Sequence, residues 1–296
     1  MTYAPATLSD DFDCHPRMPS WVTGRGAETA EAAAFLSGAA LSCLHQVLMR
    51  ADVAQALLRE RLALRAAEAC VALSGRVERQ SDLRDEVHLL RDGDRPGPAG
   101  AVYQMWQRAI TRPVSAAALE RAMPVFDRDQ IEAWLVGGGA PVDQAARLVE
   151  RVLADEPRAE GEALILADAV LARAFGWSHV TPLIAANLKA RDLRLVGDDL
   201  RLACHRALAK SATSAVQLAA DLARRVARLE AVEPKLRAKG ASAVVEMFRT
   251  RDAIAPSVAL RGVMSDRAAR RICDRLVDLG AIEELTGRDS FRLYGV

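Results

Sequence analysis

The chain has 296 residues, which is longer than one typical domain, and its 51% hydrophobic and 27% charged residues are typical of a globular protein. Aromatic residues make up only 4% while alanine is abundant, so closely packed helices are favoured over sheets. The formal net charge is +1, and charges interrupt every apolar run before it reaches 18 residues. We therefore expect a cytoplasmic protein with no membrane partner.

The chain begins with an acidic, proline-containing stretch, residues 1–20, that lacks the apolar core of a signal peptide, and we interpret it as a disordered leader. From 21 to 236, apolar residues recur at spacings of three and four, which predicts an all-helical body. The predicted helices cover 27–49, 53–73, 81–90, 100–110, 115–122, 128–136, 142–153, 160–175, 183–190 and 197–236.

The last part of the chain, residues 239–296, predicts a small winged helix-turn-helix. A first helix is indicated over 241–250, because Val244, Val245 and Phe248 have the spacing of one buried face. A short second segment, 255–260, leads into a compact turn.

A third helix begins after Ser265, because serine is a good N-cap, and ends before Gly280, because glycine is favoured just past a helix. Two alternating runs on either side of the Thr-Gly-Arg-Asp sequence at 286–289 predict a β-hairpin. The predicted fold class is thus all-α: a multi-helix N-terminal body with a small C-terminal winged helix-turn-helix that carries a β-hairpin.

Arginines cluster in this C-terminal segment, on the third helix and on the hairpin. A recognition helix places its N-terminal residues against base edges in the major groove, and the planar guanidinium matches both guanine and phosphate. The candidate nucleic-acid-binding residues are Arg267, Arg270, Arg271, Arg275, Arg288 and Arg292.

The charge of the segment is only mildly basic, which leaves a second interpretation open. Residues 235–296 contain 12 Lys and Arg against 8 Asp and Glu, a local net charge of +4. A free-standing DNA-binding domain is usually more basic. The arginines are equally compatible with an ordinary solvated face, and a winged helix also serves as a docking or dimerisation module.

No pattern in the chain indicates a catalytic, cofactor-binding or metal site. The cysteines at positions 14, 43, 70, 204 and 273 form no CxxC pair, so we interpret them as small buried hydrophobes. The five histidines form no HExxH or ExxH motif, and no Walker loop, GxGxxG or GxSxG sequence occurs. We assign no catalytic residue, no cofactor and no metal ligand, and an enzyme is the less favoured class.

One set of polar residues remains as a candidate ligand site. Its members lie near the first helix and in 84–98, and they can either form a structural network or line a groove in the bundle. They are Trp21, Arg25, Glu28, Glu31, Arg84, Asp85 and Asp94, with Arg95–Pro98 beside them.

Several stretches together resemble a family that is known only as a domain of unknown function and is common on rhizobial and related bacterial plasmids. The likeness extends over nearly the whole chain. It is carried by residues 83–85, 89–100, 176–179, 198–206 and 286–295. The resemblance implies a bacterial, cytoplasmic, replicon-associated protein, and it implies no activity and no site residues.

Our leading hypothesis is a DNA-associated regulatory or replicon-maintenance protein. Its winged helix would contact double-stranded DNA, and its body would supply dimerisation or ligand sensing. On a palindromic site we expect a homodimer, with half-sites about one helical turn apart. The alternatives are a protein–protein scaffold or adaptor that docks through the winged helix, and a ligand-binding helical bundle or enzyme.

Overall fold

The computed structural model describes residues 16–23, 27–91 and 93–296, and this part of the chain is mostly helical. Ten helices precede residue 240: α1 (Ser20–Thr23), α2 (Ala30–Leu48), α3 (Gln55–Leu73), α4 (Gln80–His88), α5 (Pro98–Thr111), α6 (Ala116–Ala122), α7 (Arg128–Leu135), α8 (Pro141–Asp155), α9 (Glu160–Ala174) and α10 (Gly197–Val232). Three follow: α11 (Ala241–Thr250), α12 (Pro256–Ala259) and α13 (Asp266–Asp278). The two strands are β1 (Glu283–Glu284) and β2 (Tyr294–Gly295).

The longest helix, α10, is the central helix of the helical part, because it packs against α2, α8 and α3. Helix α8 in turn packs on α9, and α3 packs on α5. Alanines are buried along α3, α9 and α10, so small side chains let these helices approach closely. None of the helices in the described ranges is both long and apolar enough to cross a membrane.

The all-helical prediction is confirmed, except over residues 183–190. That stretch forms turns instead of a helix. The carboxylate of Asp168 explains the difference, since its two oxygens accept hydrogen bonds from the backbone amides of Leu183 (3.0 Å) and Ile184 (3.2 Å). Asp168 has no solvent exposure. A buried acceptor on α9 therefore fixes the conformation of this stretch, and apolar spacing does not reveal it.

Most of the predicted leader, residues 1–20, lies outside the described residues. Within the described part, 16–19 are irregular and Ser20 begins α1. The single turn of α1 buries Val22, which belongs to the main hydrophobic core.

The predicted helix–helix–helix–hairpin order of the C-terminal segment is observed, although α12 is a single turn. Ser265 caps α13 by accepting a hydrogen bond from the amide of Ala268 at 3.4 Å. Gly280 follows the helix with a left-handed φ of 65°, a conformation that glycine adopts without steric cost. The predicted hairpin is confirmed as two antiparallel strands, with Glu283 opposite Gly295.

The C-terminal segment and the helical part share one hydrophobic core. The main cluster of buried side chains runs from Val22 to Val296, and it includes Leu58 and Leu64 of α3 together with Phe248 of α11. Helix α11 packs directly against α3. The boundary near residues 236–239 stays a prediction, and the apolar packing is continuous across it.

We predict that Asp168→Ala destabilises the protein by about 2–4 kcal/mol, because it leaves two buried amides without an acceptor. Urea denaturation measures this, with the exposed Asp155→Ala as the control, which should change the unfolding free energy by about 0.5 kcal/mol or less. An effect as small as that of the control would contradict this role of Asp168.

The same variant has an expected pH dependence. Burial raises the pKa of Asp168 from 3.8 to about 8, although the hydrogen bonds from Leu183 and Ile184 oppose the shift. A raised pKa stabilises the folded state fully below pH 4, and this contribution is lost as the pH rises through 8. The difference in unfolding free energy between wild type and Asp168→Ala, measured by urea denaturation, should therefore become smaller as the pH rises from 4 to 8.

Candidate functional site

All six arginines of the candidate interface are exposed. Four of them lie on α13, whose buried residues Ala269, Ile272, Cys273 and Leu276 form one face. At 100° per residue, Arg267 and Arg271 point directly away from that face, while Arg270 and Arg275 lie on its two flanks. The structure therefore brings these four side chains onto the solvent side of one helix.

The four arginines of α13 differ from those of the loop between the strands. Among the described residues, none of Arg267, Arg270, Arg271 and Arg275 takes part in an ion pair or a side-chain hydrogen bond. Their charges are thus available to a partner, although Asp274 and Asp278 share the exposed face towards the end of the helix.

The two loop arginines are already engaged within the molecule. Arg288 forms an ion pair with Asp85 of α4, and Nε of Arg292 donates to the carbonyl of Arg288 at 2.8 Å. The carboxylate of Glu284 organises the start of the loop by accepting hydrogen bonds from the amides of Thr286 and Gly287, both at 2.8 Å. This loop is consequently held against α4.

A groove of about 700 Å³, which we call the C-terminal groove, separates α13 from the loop. Its charged side chains have both signs, and the aromatic rings of Phe291 and Tyr294 form part of its wall. The charged residues that line it are Arg91, Arg261, Arg270 and Arg292, with Asp266, Asp274 and Asp289. The hydroxyl of Tyr294 donates to Oδ1 of Asp274 at 3.3 Å, which links β2 to α13.

Phe291 is unusual in this wall, because its side chain is 65% exposed and its backbone φ is +55°. It is the only described residue other than glycine with a positive φ. The left-handed region is sterically unfavourable for a bulky residue and persists only where the surroundings impose it.

The C-terminal segment is anchored by a buried ion-pair network centred on Asp252, which follows α11 and has no solvent exposure. Arg84 of α4 binds it with two contacts: Nε lies 2.6 Å from Oδ2 and Nη2 lies 3.0 Å from Oδ1. Nε of Arg61, from α3, lies 2.9 Å from Oδ1. Arg61 also donates from Nη2 to the carbonyl of Val296 at 2.8 Å. Two helices thus hold the C-terminal segment just after α11, and α3 also holds its last residue.

The electrostatics of this network favour the ionised carboxylate. Burial alone would raise the pKa of Asp252, but the hydrogen bonds from Arg84 and the charges of Arg61 and Arg84 outweigh it and hold the pKa below its usual range. The backbone is equally close-packed here, because a Cβ on Gly295 would lie 2.8 Å from the carbonyl oxygen of Asp252.

Nε of Arg61, which contacts Asp252 only as an ion pair, makes no hydrogen bond with a described residue. The same holds for two groups at the border of the network, Nε2 of His88 and the hydroxyl of Tyr103. Their rings meet edge to face, with centroids 6.2 Å apart. Burial lowers the pKa of His88 from 6.5 to about 4, although the charge of Asp252 opposes this shift. His88 is therefore neutral at neutral pH.

Of the two interpretations of the polar residues near the first helix, Arg84 and Asp85 fit the structural network. Arg84 and Asp85 do form ion pairs, but their partners are Asp252 and Arg288 of the C-terminal segment. Glu28 and Glu31 are exposed, and Arg25 lies outside the described residues. Sequence reasoning missed Asp252 and Arg61, because nothing in the spacing indicates a partner so far away in the chain.

The described cysteines are small, mostly buried side chains: Cys70, Cys204 and Cys273 are buried and Cys43 is partly exposed, while Cys14 lies outside the described residues. Burial raises the pKa of Cys70, Cys204 and Cys273 to about 12, so these thiols are not reactive nucleophiles at neutral pH. Within the described ranges, no three His, Cys, Asp or Glu side chains are close enough together to hold a metal ion.

The family model described as "Protein of unknown function (DUF1403)" matches residues 6–296. No curated protein is significantly similar to the chain.

We predict that Arg84→Ala destabilises the protein by about 3–5 kcal/mol, because it removes the two-contact partner of a buried carboxylate. Chemical denaturation measures the change. Arg147→Ala is the control, since Arg147 forms an exposed ion pair with Asp143 on α8 and should contribute about 1 kcal/mol or less. In a double-mutant cycle, Arg84→Ala/Asp252→Ala should cost less than the sum of the single variants. Additive effects would contradict the coupling.

We further predict that the contribution of His88 to the stability of wild type is lost as the pH decreases from 6.5 to 4. A depressed pKa at His88 stabilises the folded state fully above pH 6.5, and this contribution is lost as the pH falls towards 4, because the unfolded chain takes up one proton more. His88→Phe keeps the ring against Tyr103 and removes the titration. Denaturation at each pH should show that the unfolding free energy of wild type falls relative to that of the variant as the pH decreases from 6.5 to 4, and a difference that does not change with pH would refute the assignment.

Proposed function

The chain belongs to the DUF1403 family, and we propose that it is a DNA-associated regulatory or replicon-maintenance protein that binds double-stranded DNA through α13. The observation that carries the proposal is the set of four exposed arginines on α13, Arg267, Arg270, Arg271 and Arg275, none of which is paired with a described residue. Exposed guanidiniums without protein partners are suited to phosphates and guanine edges.

The dimensions and charge of α13 support this function. A helix of 13 residues is about 20 Å long, which suits the major groove. Its arginines begin in the first turn, and the acidic Asp274 and Asp278 lie towards its C-terminus. In this proposal the N-terminal half of the helix faces the bases together with Asp266 of its first turn, and Asp274 and Asp278 lie away from them.

The winged helix-turn-helix interpretation has further support in the strand pairing. The segment between α11 and α12 pairs with β2, since the amide of Ile254 donates to the carbonyl of Tyr294 at 2.8 Å and the amide of Tyr294 donates back at 3.0 Å. A strand-like segment between the first two helices thus extends the hairpin. In this interpretation the loop between β1 and β2 is the wing, and Arg288 and Arg292 contact the DNA backbone.

The biological setting follows from the resemblance noted in the sequence. A bacterial protein of plasmid replicons would find its DNA in the cytoplasm. A palindromic target would require a homodimer, with two copies of α13 about one helical turn apart.

A protein partner is the second candidate, favoured by the mixed charges on the exposed face of α13. Asp274 and Asp278 lie beside Arg271 and Arg275, and Val277 on the same side is 37% exposed. Such a face suits a scaffold or adaptor that docks through this helix.

We predict that the protein binds random-sequence duplex DNA with a steep salt dependence, and that Arg270→Ala/Arg271→Ala weakens binding at least tenfold. Each lost phosphate contact lowers the slope of log K against log salt by about 0.9, so the slope should fall by about 2. Fluorescence anisotropy with a labelled duplex at several salt concentrations measures both quantities.

The matched control is Arg147→Ala/Arg151→Ala, which removes two exposed arginines four residues apart on α8. It changes the net charge equally and should leave the affinity within about twofold. No binding at low salt would refute DNA binding, and equal losses in the two double variants would refute the role of α13. If the protein binds no DNA, and a pull-down captures a partner protein that the Arg270→Ala/Arg271→Ala variant does not capture, the scaffold function is favoured.

A further inference from the structure

The C-terminal groove contains carboxylates, which a site that binds only the phosphate backbone of a duplex does not require. A pure phosphate-binding track would be lined by cations, whereas this groove also has the carboxylates of Asp266, Asp274 and Asp289. Base edges present both donors and acceptors, so a carboxylate is a suitable partner for an exocyclic amino group and a guanidinium for O6 or N7. The lining therefore fits a nucleobase together with its phosphate.

Phe291 supplies the third element of a base-binding site. Its ring is 65% exposed at the rim of the groove, between Ser290 and Arg292. Proteins that bind unpaired nucleotides combine cationic grooves with aromatic rings on which bases stack, because every base has a flat apolar face. An exposed phenylalanine beside arginines matches that combination.

The loop between β1 and β2 holds the backbone of Phe291 in a left-handed conformation. The φ of +55° is unfavourable for phenylalanine, and both neighbouring regions are fixed: Arg292 donates to the carbonyl of Arg288, and Arg288 pairs with Asp85. Strained residues that the surroundings impose are frequent at ligand clamps. The ring thus stays at the rim of the groove and is not buried in the core.

We propose that the C-terminal groove receives one unpaired nucleotide of the DNA, with its base stacked on Phe291. Arg270 and Arg292 lie on opposite sides of the groove and bind the adjoining phosphates, while the carboxylates bind the base edge. The volume of about 700 Å³ is within the range of small-ligand sites and accommodates a nucleotide. This inference rests on the proposed DNA binding and names the form of DNA that the site selects.

The test compares a fully paired duplex with the same duplex carrying a single unpaired 2-aminopurine. Wild type should bind the second DNA about tenfold more tightly, in line with the stacking of one base. The 2-aminopurine fluorescence should fall when the protein binds, since stacking quenches it. Anisotropy gives the affinities, and the fluorescence reports the stacking directly.

Three variants assign the effect to the ring. Phe291→Ala should lose the tenfold preference and the quenching, while its affinity for the paired duplex stays within about twofold; Phe291→Trp should keep both. Phe291→Gly should also lose the preference, and because glycine tolerates the positive φ, an unchanged melting curve separates loss of stacking from loss of fold. Phe35→Ala is the matched control, since Phe35 is equally exposed at 65% but lies on α2; it should keep the preference.

The outcomes separate this inference from the function on which it rests. Equal affinity of wild type for the two DNAs, or a preference that survives in Phe291→Ala, overturns base binding and leaves duplex binding intact. Binding to neither DNA overturns both. Binding that requires the unpaired base supports the groove as a base-binding site and contradicts recognition of the duplex through α13.

Discussion

A carboxylate with no solvent exposure is stable in a protein only when other groups compensate its charge, and Asp252 is compensated by arginines from two different helices. Removing an ion from water costs several kcal/mol, so the pair with Arg84 and Arg61 contributes little net stability over an apolar contact. Its effect is on geometry, because any displacement of the C-terminal segment from α3 and α4 would leave a buried charge unpaired. This interaction therefore fixes the position of residue 252, from which the rest of the C-terminal segment continues, relative to α3 and α4.

A second connection reinforces the first on the same helix. Arg84 and its neighbour Asp85 both lie on α4, and they bind opposite parts of the C-terminal segment: Arg84 binds Asp252, and Asp85 binds Arg288 in the loop between the strands. The first contact is buried and fixes position, whereas the second is partly exposed and is open to competition from a phosphate. Helix α4 therefore holds the candidate interface by one permanent and one exchangeable ion pair.

The parts of the structure that are coded locally were predictable from the sequence. Ser265 and Gly280 delimit α13 through capping, and the long helices follow from apolar periodicity. The turn at 183–190 was not predictable, because it depends on Asp168 from another helix. Likewise, Arg84 and Asp252 are 168 residues apart, and a single sequence provides no register between them. The exposure of the four arginines on α13 follows from the apolar periodicity of that helix, whereas the C-terminal groove is formed by four separate stretches of chain.

We expect the C-terminal segment and the helical part to open as one cooperative unit, held together by the Asp252 network. Native-state hydrogen exchange of the full chain measures this most directly, because it gives the free energy of opening for each amide. The best-protected amides of α11 and α13 should open within about 1 kcal/mol of those of α3. If α11–α13 open at a free energy several kcal/mol lower while α3 is still protected, the C-terminal segment is an independent appendage and the two parts are not one cooperative unit.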